Sequence, residues 1–156
     1  SYQALVWGTP LPSLGKVEAS LTRAPHNRSK MAVSTHESAR HAVTHYQVQE
    51  SFFDGQVTRL ACHLETGRTH QIRVHMAHIG HPVLGDPLYG AGMKSRSSHL
   101  DDTATAALEA LARQALHAAV LGFEHPATGA RMDFEAPLPA DMARLLATLK
   151  MRDPLL

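Results

Sequence analysis

The side chains best suited to chemistry gather between residues 66 and 90. Residues 66–69 are predicted to form a turn, with Thr69 as the N-cap of a helix over residues 70–79. Unpaired backbone N–H groups at the start of a helix attract phosphate, and the flanking Arg68 would add positive charge. His70 and Gln71, in the first helical turn, either contact a bound polyanion or satisfy buried backbone groups. The segment therefore supplies four candidate phosphate-binding residues, which are Arg68, Thr69, His70 and Gln71.

The same segment holds four histidines, which raises the possibility of a metal site. Zinc requires three or four ligands that converge tetrahedrally. His75 and His78 are spaced to share one face of the predicted helix, whereas His70 would point elsewhere and His81 follows the helix end at Gly80. The chain has no cysteine pair and no His-Glu-x-x-His pattern. We therefore predict that no metal binds here.

Composition limits the class of protein. The chain has 156 residues with 44% hydrophobic content, which suits one domain with a real core. It has no run of eighteen apolar residues and no signal-peptide layout at residues 1–8, so we expect no membrane association. Cys62 is the only cysteine and excludes an intrachain disulfide, which favours a cytoplasmic location. Nothing in the sequence indicates an obligate oligomer, so we expect a monomer.

The charge of the chain is distributed unevenly. Residues 1–100 carry ten Lys/Arg against six Asp/Glu, whereas residues 101–156 carry five against eight. A polyanion would therefore meet the first part more readily. A polar loop predicted over residues 22–30 contains further basic side chains that either contact a nucleic-acid backbone or are simply solvated, namely Arg23, His26, Arg28 and Lys30.

The elements that must position these residues follow from periodicity and turn signals. Strands are predicted over residues 2–7, 16–21, 41–50, 56–65, 116–123 and 131–134, with a hairpin turn at Asp54-Gly55. Ile72, Met76 and Ile79 form the predicted buried stripe of the first helix. Further helices are expected at residues 105–114 and 141–150, and a long surface loop at 91–105. The pattern predicts an α+β domain with a mixed, largely antiparallel sheet and few helices.

Residues 64–90 read LETGRTHQIRVHMAHIGHPVLGDPLYG, a block of 27 residues with several uncommon types in fixed order. The block closely resembles the glycine-arginine-threonine-histidine-glutamine-isoleucine-arginine segment of the RluA/RluD-type pseudouridine synthases. Residues 2–8, 42–46, 113–118 and 136–141 also resemble segments of this family. The resemblance is nearest to the branch that modifies large-subunit ribosomal RNA. It implies the pseudouridine synthase fold and an isomerase that converts uridine to pseudouridine in RNA without a cofactor.

The resemblance also implies roles for two residues. Arg73 matches the family arginine that pairs with the catalytic aspartate, and Tyr2 matches the active-site tyrosine that stacks on the displaced uracil. A neighbouring guanidinium lowers the pKa of a carboxyl group by about 1–3 units and fixes its geometry. The simpler alternatives are a solvated surface salt bridge for Arg73 and ordinary strand packing for Tyr2.

One family motif is not found in the sequence. The His-Arg-Leu-Asp motif that carries the catalytic aspartate is absent, and each of the seven aspartates stands in a different context: Asp54, Asp86, Asp101, Asp102, Asp133, Asp141 and Asp153. We therefore expect residues 1–156 to be the C-terminal part of a single catalytic domain, inactive without the N-terminal part. A non-catalytic RNA-binding module on the same scaffold is the alternative.

Overall fold

The computed structural model describes residues 1–90 and 100–153. In chain order the elements are β1 (Tyr2–Trp7), β2 (Leu14–Glu18), β3 (Leu21–Ala24), β4 (Asn27–Val33), β5 (Val43–Phe52), β6 (Val57–Leu64), α1 (Gln71–His78), α2 (Asp102–Leu111), β7 (Leu116–Ala118), β8 (Val120–Glu124), β9 (Arg131–Glu135) and α3 (Ala140–Arg152). Most of the surface loop predicted over residues 91–105 lies outside the described residues.

A five-stranded sheet in the order β2-β5-β6-β1-β7 organises the fold. Every pairing within it is antiparallel among the described residues, which confirms the α+β prediction. The hairpin predicted at Asp54-Gly55 joins β5 to β6, and both of these residues have positive φ. Strand β1 lies between β6 and β7, and its residues from Ala4 to Trp7 are at most 2% exposed. An apolar run of this kind is typical of a strand that is covered on both faces.

The hydrophobic core has two parts. The larger one joins β1, β5 and β6 to the helices α2 and α3 through fully buried residues such as Leu60, Ala104 and Leu145. The smaller one lies between α1 and the β3–β4 hairpin and includes Leu21, Met31, Ala42, Val74 and Tyr89. The smaller core holds α1 and the hairpin together, and the candidate site forms between these two elements.

The prediction of a polar loop over residues 22–30 was wrong. The segment is the β3–β4 hairpin, closed by a two-residue turn at Pro25-His26. Leu21 and Met31 are buried, whereas the residues near the turn are exposed. Most residues of this hairpin are polar and exposed, so the sequence does not show the alternation of apolar and polar residues that is typical of a strand. The strand predicted over residues 16–21 is likewise displaced, because the chain bends after Glu18 and begins β3 at Leu21.

The C-terminal elements differ from prediction mainly at their ends. Helix α2 begins three residues before the predicted start, because the Asp101 side chain accepts the Ala104 N–H and caps it. The strand predicted over residues 116–123 divides at Ala119 into β7, in the main sheet, and β8, which pairs with β9. Helix α3 begins at Ala140 rather than at Asp141 and continues to Arg152. Among the described residues, no helix is long and apolar enough to cross a membrane.

Candidate functional site

A cleft of about 250 Å³ opens where β1, the end of β6, the start of α1 and β7 meet. Tyr2 is placed in it because β1 is a central strand, with Tyr2 opposite Cys62 on one side and Ala118 on the other. Its lining brings together five of the predicted site residues, namely Tyr2, Arg68, His70, Gln71 and Arg73, with Leu64, Ile72, Gln114 and Leu116. We call this the central cleft.

The N-terminus of α1 differs from the prediction. His70, not Thr69, occupies the N-cap position, in a left-handed conformation (φ 56°, ψ 22°) and with no side-chain capping bond. Ile72 and Met76 are buried as predicted, whereas Ile79 is only partly buried. The helix also buries Gln71, Arg73 and His75, so it is enclosed on more than its apolar stripe. Such buried polar side chains require partners.

Gln71 uses its whole amide group inside the protein. Its nitrogen donates to the Val43 carbonyl and to Thr44 Oγ1, and its oxygen accepts from Thr66 Oγ1 and from the Arg68 backbone N–H. The prediction that the backbone N–H groups of this turn are free was therefore wrong for Arg68. Gln71 fixes the turn that carries Arg68 into the cleft, and an RNA contact by its amide would have to replace one of these bonds.

Arg73 forms a buried, bidentate ion pair with Asp86. Its Nε lies 2.8 Å from Asp86 Oδ2 and its Nη2 lies 2.9 Å from Oδ1. The Arg73 side chain is 9% exposed, and the Asp86 side chain has no exposed surface. The alternative of a solvated surface salt bridge does not describe this arginine. Because guanidinium has five N–H donors, the pairing leaves three of them for other partners.

Asp86 is also the centre of a turn. Its Oδ1 accepts the backbone N–H groups of Leu88 and Tyr89. Burial alone would raise the pKa of Asp86, but the hydrogen bonds from Arg73 and from these N–H groups outweigh it and hold the pKa below its ordinary value. The hydrogen bond to Asp86 in turn raises the pKa of Arg73. Both groups are therefore charged over the physiological pH range.

Tyr89 connects this ion pair to the β3–β4 hairpin and to the helix start. Its hydroxyl accepts the Met31 backbone N–H at 2.9 Å and lies 2.8 Å from His70 Nδ1. The Arg73 guanidinium lies 5.1 Å from the centre of its ring and the Lys30 ammonium 5.5 Å, both within cation–π range. The turn at residues 83–90 thus packs beside α1 and holds Arg73, the buried arginine of this helix.

A second cavity, of about 320 Å³, lies between the β3–β4 hairpin and the turn before α1. It is lined by three arginines and, among the described residues, by no carboxylate; the lining is Leu21, Thr22, Arg23, Met31, Ser38, Arg40, Gly67, Arg68 and Thr69. Arg23 and Arg68 donate to the main-chain carbonyls of Arg28 and His41, and neither forms an ion pair with a carboxylate within residues 1–90 and 100–153. Arg68 lines both cavities. We call the second cavity the basic groove.

The other basic residues of the hairpin lie outside the groove lining. Arg28 and His26 are exposed near the turn of the hairpin, and Lys30 is half-buried over the Tyr89 ring. The structure therefore brings Arg23, Arg68 and Thr69 together in the groove and places Arg28 and Lys30 further along the hairpin.

Three of the four histidines of the segment, His70, His75 and His81, have structural partners. His75 is fully buried, with Nδ1 2.8 Å from Thr44 Oγ1 and Nε2 2.8 Å from the Ala19 carbonyl. His81 Nδ1 lies 2.9 Å from the Trp7 carbonyl, and His78 is exposed. Over residues 1–90 and 100–153, no group of three or more potential metal ligands comes together.

Several residues of the site were not predicted from the sequence. Asp86 and Tyr89 lie within the block at residues 64–90, and a search for an acidic partner of Arg73 inside that block would have found Asp86. Gln114 and Leu116 reach the cleft because β7 pairs with β1, which local periodicity does not reveal. Arg40 lines the groove because its backbone forms an antiparallel β-bridge with Leu21.

Comparison with known proteins shows the family. A family model described as RNA pseudouridylate synthase matches residues 1–78, half of the chain. The chain is 48% identical over 149 residues to a protein of Xanthomonas campestris named ribosomal large subunit pseudouridine synthase D, covering 96% of this chain and 43% of that protein. An uncharacterized RNA pseudouridine synthase of Chloroflexus aurantiacus is 46% identical over 151 residues, covering 97% of this chain and 42% of that protein. The chain thus spans less than half the length of these curated relatives.

Solved structures agree with this comparison. Human RNA pseudouridylate synthase domain containing 4 superposes with a TM-score of 0.70 at 26% identity, covering 96% of this chain and 61% of that one. Human RNA pseudouridylate synthase domain containing 1 gives a TM-score of 0.67 at 25% identity, covering 98% and 66%. The predicted fold is confirmed, and the chain belongs to the RNA pseudouridylate synthase family, in its RluA/RluD-type branch.

Proposed function

We propose that the full-length protein isomerises uridine to pseudouridine in RNA, with large-subunit ribosomal RNA as the substrate. The observation that carries this proposal is the central cleft, which brings Tyr2 and Arg73 together next to the positively charged turn at Arg68. The names of the bacterial relatives favour ribosomal RNA. Monomeric state and cytoplasmic location stay predictions.

The reaction breaks the bond between uracil N1 and C1′, turns the base, and joins C5 to C1′. The target nucleotide must leave its stack, which costs a few kcal/mol in a duplex. We assign to the Tyr2 ring the role of a platform for the displaced base, since base–aromatic stacking contributes about 1–3 kcal/mol. We also propose that the Tyr2 hydroxyl takes part in proton transfer at C5.

Arg73 is proposed to orient and keep ionised the carboxylate that attacks the nucleotide. Asp86 occupies two of its N–H donors and leaves three for this task. Asp86 itself is unsuited to attack, because its side chain is fully buried and both oxygens are engaged. We therefore propose that the nucleophilic aspartate comes from outside these 156 residues and that this chain alone does not catalyse the reaction.

The basic groove is proposed to hold the RNA backbone beside the target nucleotide. Its arginines lack carboxylate partners among the described residues, so a phosphate would be their first strong counter-charge. Because Arg68 lines both cavities, a strand could run from the groove into the cleft. Thr69 and Arg23 would contact the backbone within the groove, and Arg28 and Lys30 would extend the contact along the hairpin.

A non-catalytic RNA-binding module is the second candidate. The basic groove favours it, because phosphate binding there needs no nucleophile. The two functions differ in whether the wild-type protein converts the uridine that it binds.

The test is single-turnover pseudouridine formation by the purified full-length gene product on ribosomal RNA. We expect Arg73→Ala to abolish conversion with a modest loss of RNA affinity. Arg113→Ala removes another arginine that forms a bidentate ion pair, with Asp141, and should retain conversion. Circular dichroism of both variants would establish that they are folded. Unchanged conversion by a folded Arg73→Ala variant would refute the role of Arg73, and binding without conversion by the wild type would favour the module.

A further inference from the structure

His70 lies at the centre of an arrangement that the proposed reaction does not explain. It lines the central cleft, adopts a left-handed backbone conformation, and makes one side-chain hydrogen bond within the described part of the chain, between Nδ1 and the Tyr89 hydroxyl. A left-handed conformation costs a residue other than glycine about 1–3 kcal/mol and persists only where surrounding contacts hold it. Tyr89 supplies such a contact, and the two rings meet edge to face with centroids 5.7 Å apart.

The bonding of Tyr89 determines which nitrogen of His70 carries the proton. The Tyr89 oxygen already accepts the backbone N–H of Met31. If Nδ1 of His70 were also a donor, the hydroxyl proton of this largely buried tyrosine would have no acceptor among the described residues. If Nδ1 is the acceptor, both hydrogen bonds of the hydroxyl are satisfied. Burial raises the pKa of Tyr89, which keeps the hydroxyl protonated as this arrangement requires.

The ring of His70 is also kept neutral. Burial, followed by the nearby charge of Arg73, lowers its pKa below the ordinary value. A neutral imidazole carries one proton, so an accepting Nδ1 places that proton on Nε2. No described residue bonds to Nε2, and the side chain is only partly buried at the cleft wall.

We propose that Tyr89 holds His70 in the Nε2–H form and that this N–H donates a hydrogen bond to an oxygen of the nucleotide in the central cleft. The acceptor is either a uracil carbonyl or a phosphate oxygen, which share the chemistry of an oxygen lone pair. Tyr89 acts as a positioning residue and His70 as a binding residue. The proposal rests on the proposed function for the identity of the ligand, whereas the protonation state of His70 does not depend on it.

The first measurement is the tautomer of His70 in the ligand-free full-length gene product, read from two-bond proton–nitrogen correlations in a ¹⁵N-labelled sample. We expect protonated Nε2 and unprotonated Nδ1 in the wild type, and a mixture of tautomers in Tyr89→Phe. A wild-type ring protonated at Nδ1 would overturn the proposal whatever reaction the full-length protein catalyses.

The second measurement is a titration of the same full-length protein with uridine 5′-monophosphate, uridine and inorganic phosphate, followed at His70 Nε2. A shift with uridine identifies the uracil carbonyl as the acceptor, and a shift with phosphate but not with uridine identifies a phosphate oxygen. His70→Asn, which tolerates the left-handed conformation, should weaken binding roughly two- to tenfold, the range for one hydrogen bond. His78→Asn makes the same change at an exposed histidine and should leave binding unchanged. Equal affinities for the wild type and His70→Asn would overturn the proposal.

The outcomes of these two tests can be distinguished from a failure of the proposed function. If the tautomer and the titration behave as expected but the full-length protein converts no uridine, the proposed reaction is wrong while His70 remains a nucleotide-binding residue. If conversion occurs and His70→Asn binds normally, the reaction stands and the role of His70 is refuted.

Discussion

Replacing one partner of the buried pair of Arg73 and Asp86 should lower the free energy of unfolding far more than replacing one partner of a similar ion pair at the surface. Replacing Asp86 by Asn keeps the size of the side chain but removes the charge opposite Arg73, whose side chain is only 9% exposed. Removing one partner of a buried ion pair costs about 3–5 kcal/mol, because the other charge is left uncompensated. The amide also cannot serve both sides: its NH₂ group must face either Arg73 or the two backbone N–H groups that Oδ1 now accepts.

The chain offers a matched control in the pair of Arg113 and Asp141. This pair is also bidentate, through Nε and Nη2 at 2.9 Å each, but its side chains are 34% and 31% exposed. Exposed pairs contribute about 0.2–1 kcal/mol. Asp141→Asn also removes a negative charge from the first turn of α3, and because the pair is partly exposed to solvent we expect this variant to lose clearly less stability than Asp86→Asn.

Urea denaturation of the wild-type chain and both variants measures these costs as changes in the free energy of unfolding. We expect Asp86→Asn to lower the free energy of unfolding by about 3–5 kcal/mol, clearly more than Asp141→Asn. Failure of Asp86→Asn to fold would mean that its loss of stability is larger still. A folded Asp86→Asn variant that loses no more than Asp141→Asn, with equal denaturant dependence, would refute the conclusion that Asp86 is the buried counter-charge of Arg73.

Three further predictions follow from other parts of the structure. Burial raises the pKa of Cys62 to about 12, so a thiol reagent at neutral pH should label it only as fast as the chain unfolds; rapid labelling of the native chain would contradict its burial. Burial lowers the pKa of His75, so the unfolded chain binds more protons than the folded one below the ordinary pKa of about 6.5, and stability should fall as the pH falls through this value. The fall should be shallower in His75→Gln, and an identical pH profile of unfolding would show that His75 does not cause it. Replacing Arg23 and Arg40 by Gln in the full-length gene product should weaken the salt dependence of binding to ribosomal RNA. The slope of log affinity against log salt concentration should become shallower by about 0.7–0.9 for each phosphate that is no longer bound. An unchanged slope would place the RNA backbone elsewhere.

The main sheet could be predicted from the sequence because its strands alternate or are uniformly apolar. Residues 2–7, 41–50 and 56–65 became β1, β5 and β6 with errors of at most two residues at their ends. The β3–β4 hairpin was missed for a physical reason: near its turn it is covered on neither face, so its exposed residues give the composition of a loop.

The site was predictable in part. Resemblance identified Tyr2 and Arg73, and the structure places both in one cleft. The partner of Arg73 was not predicted, because Asp86 reaches it only after the chain reverses direction beyond α1. The phosphate site expected at the helix start stays a prediction. Gln71 accepts the Arg68 N–H, so this N–H group is already bonded within the protein, and three arginines are among the residues that line the groove.

The cleft between Tyr2 and Arg73 is, in our proposal, where uridine in ribosomal RNA is isomerised. Pseudouridine mapping of ribosomal RNA from cells that lack the full gene tests this most directly, with the gene restored as wild type or as Arg73→Lys. Lysine keeps the charge but cannot reproduce the planar bidentate fork. We predict that at least one pseudouridine of the large-subunit RNA disappears on deletion, returns with the wild-type gene and stays absent with Arg73→Lys. An unchanged pseudouridine map after deletion would contradict the proposal.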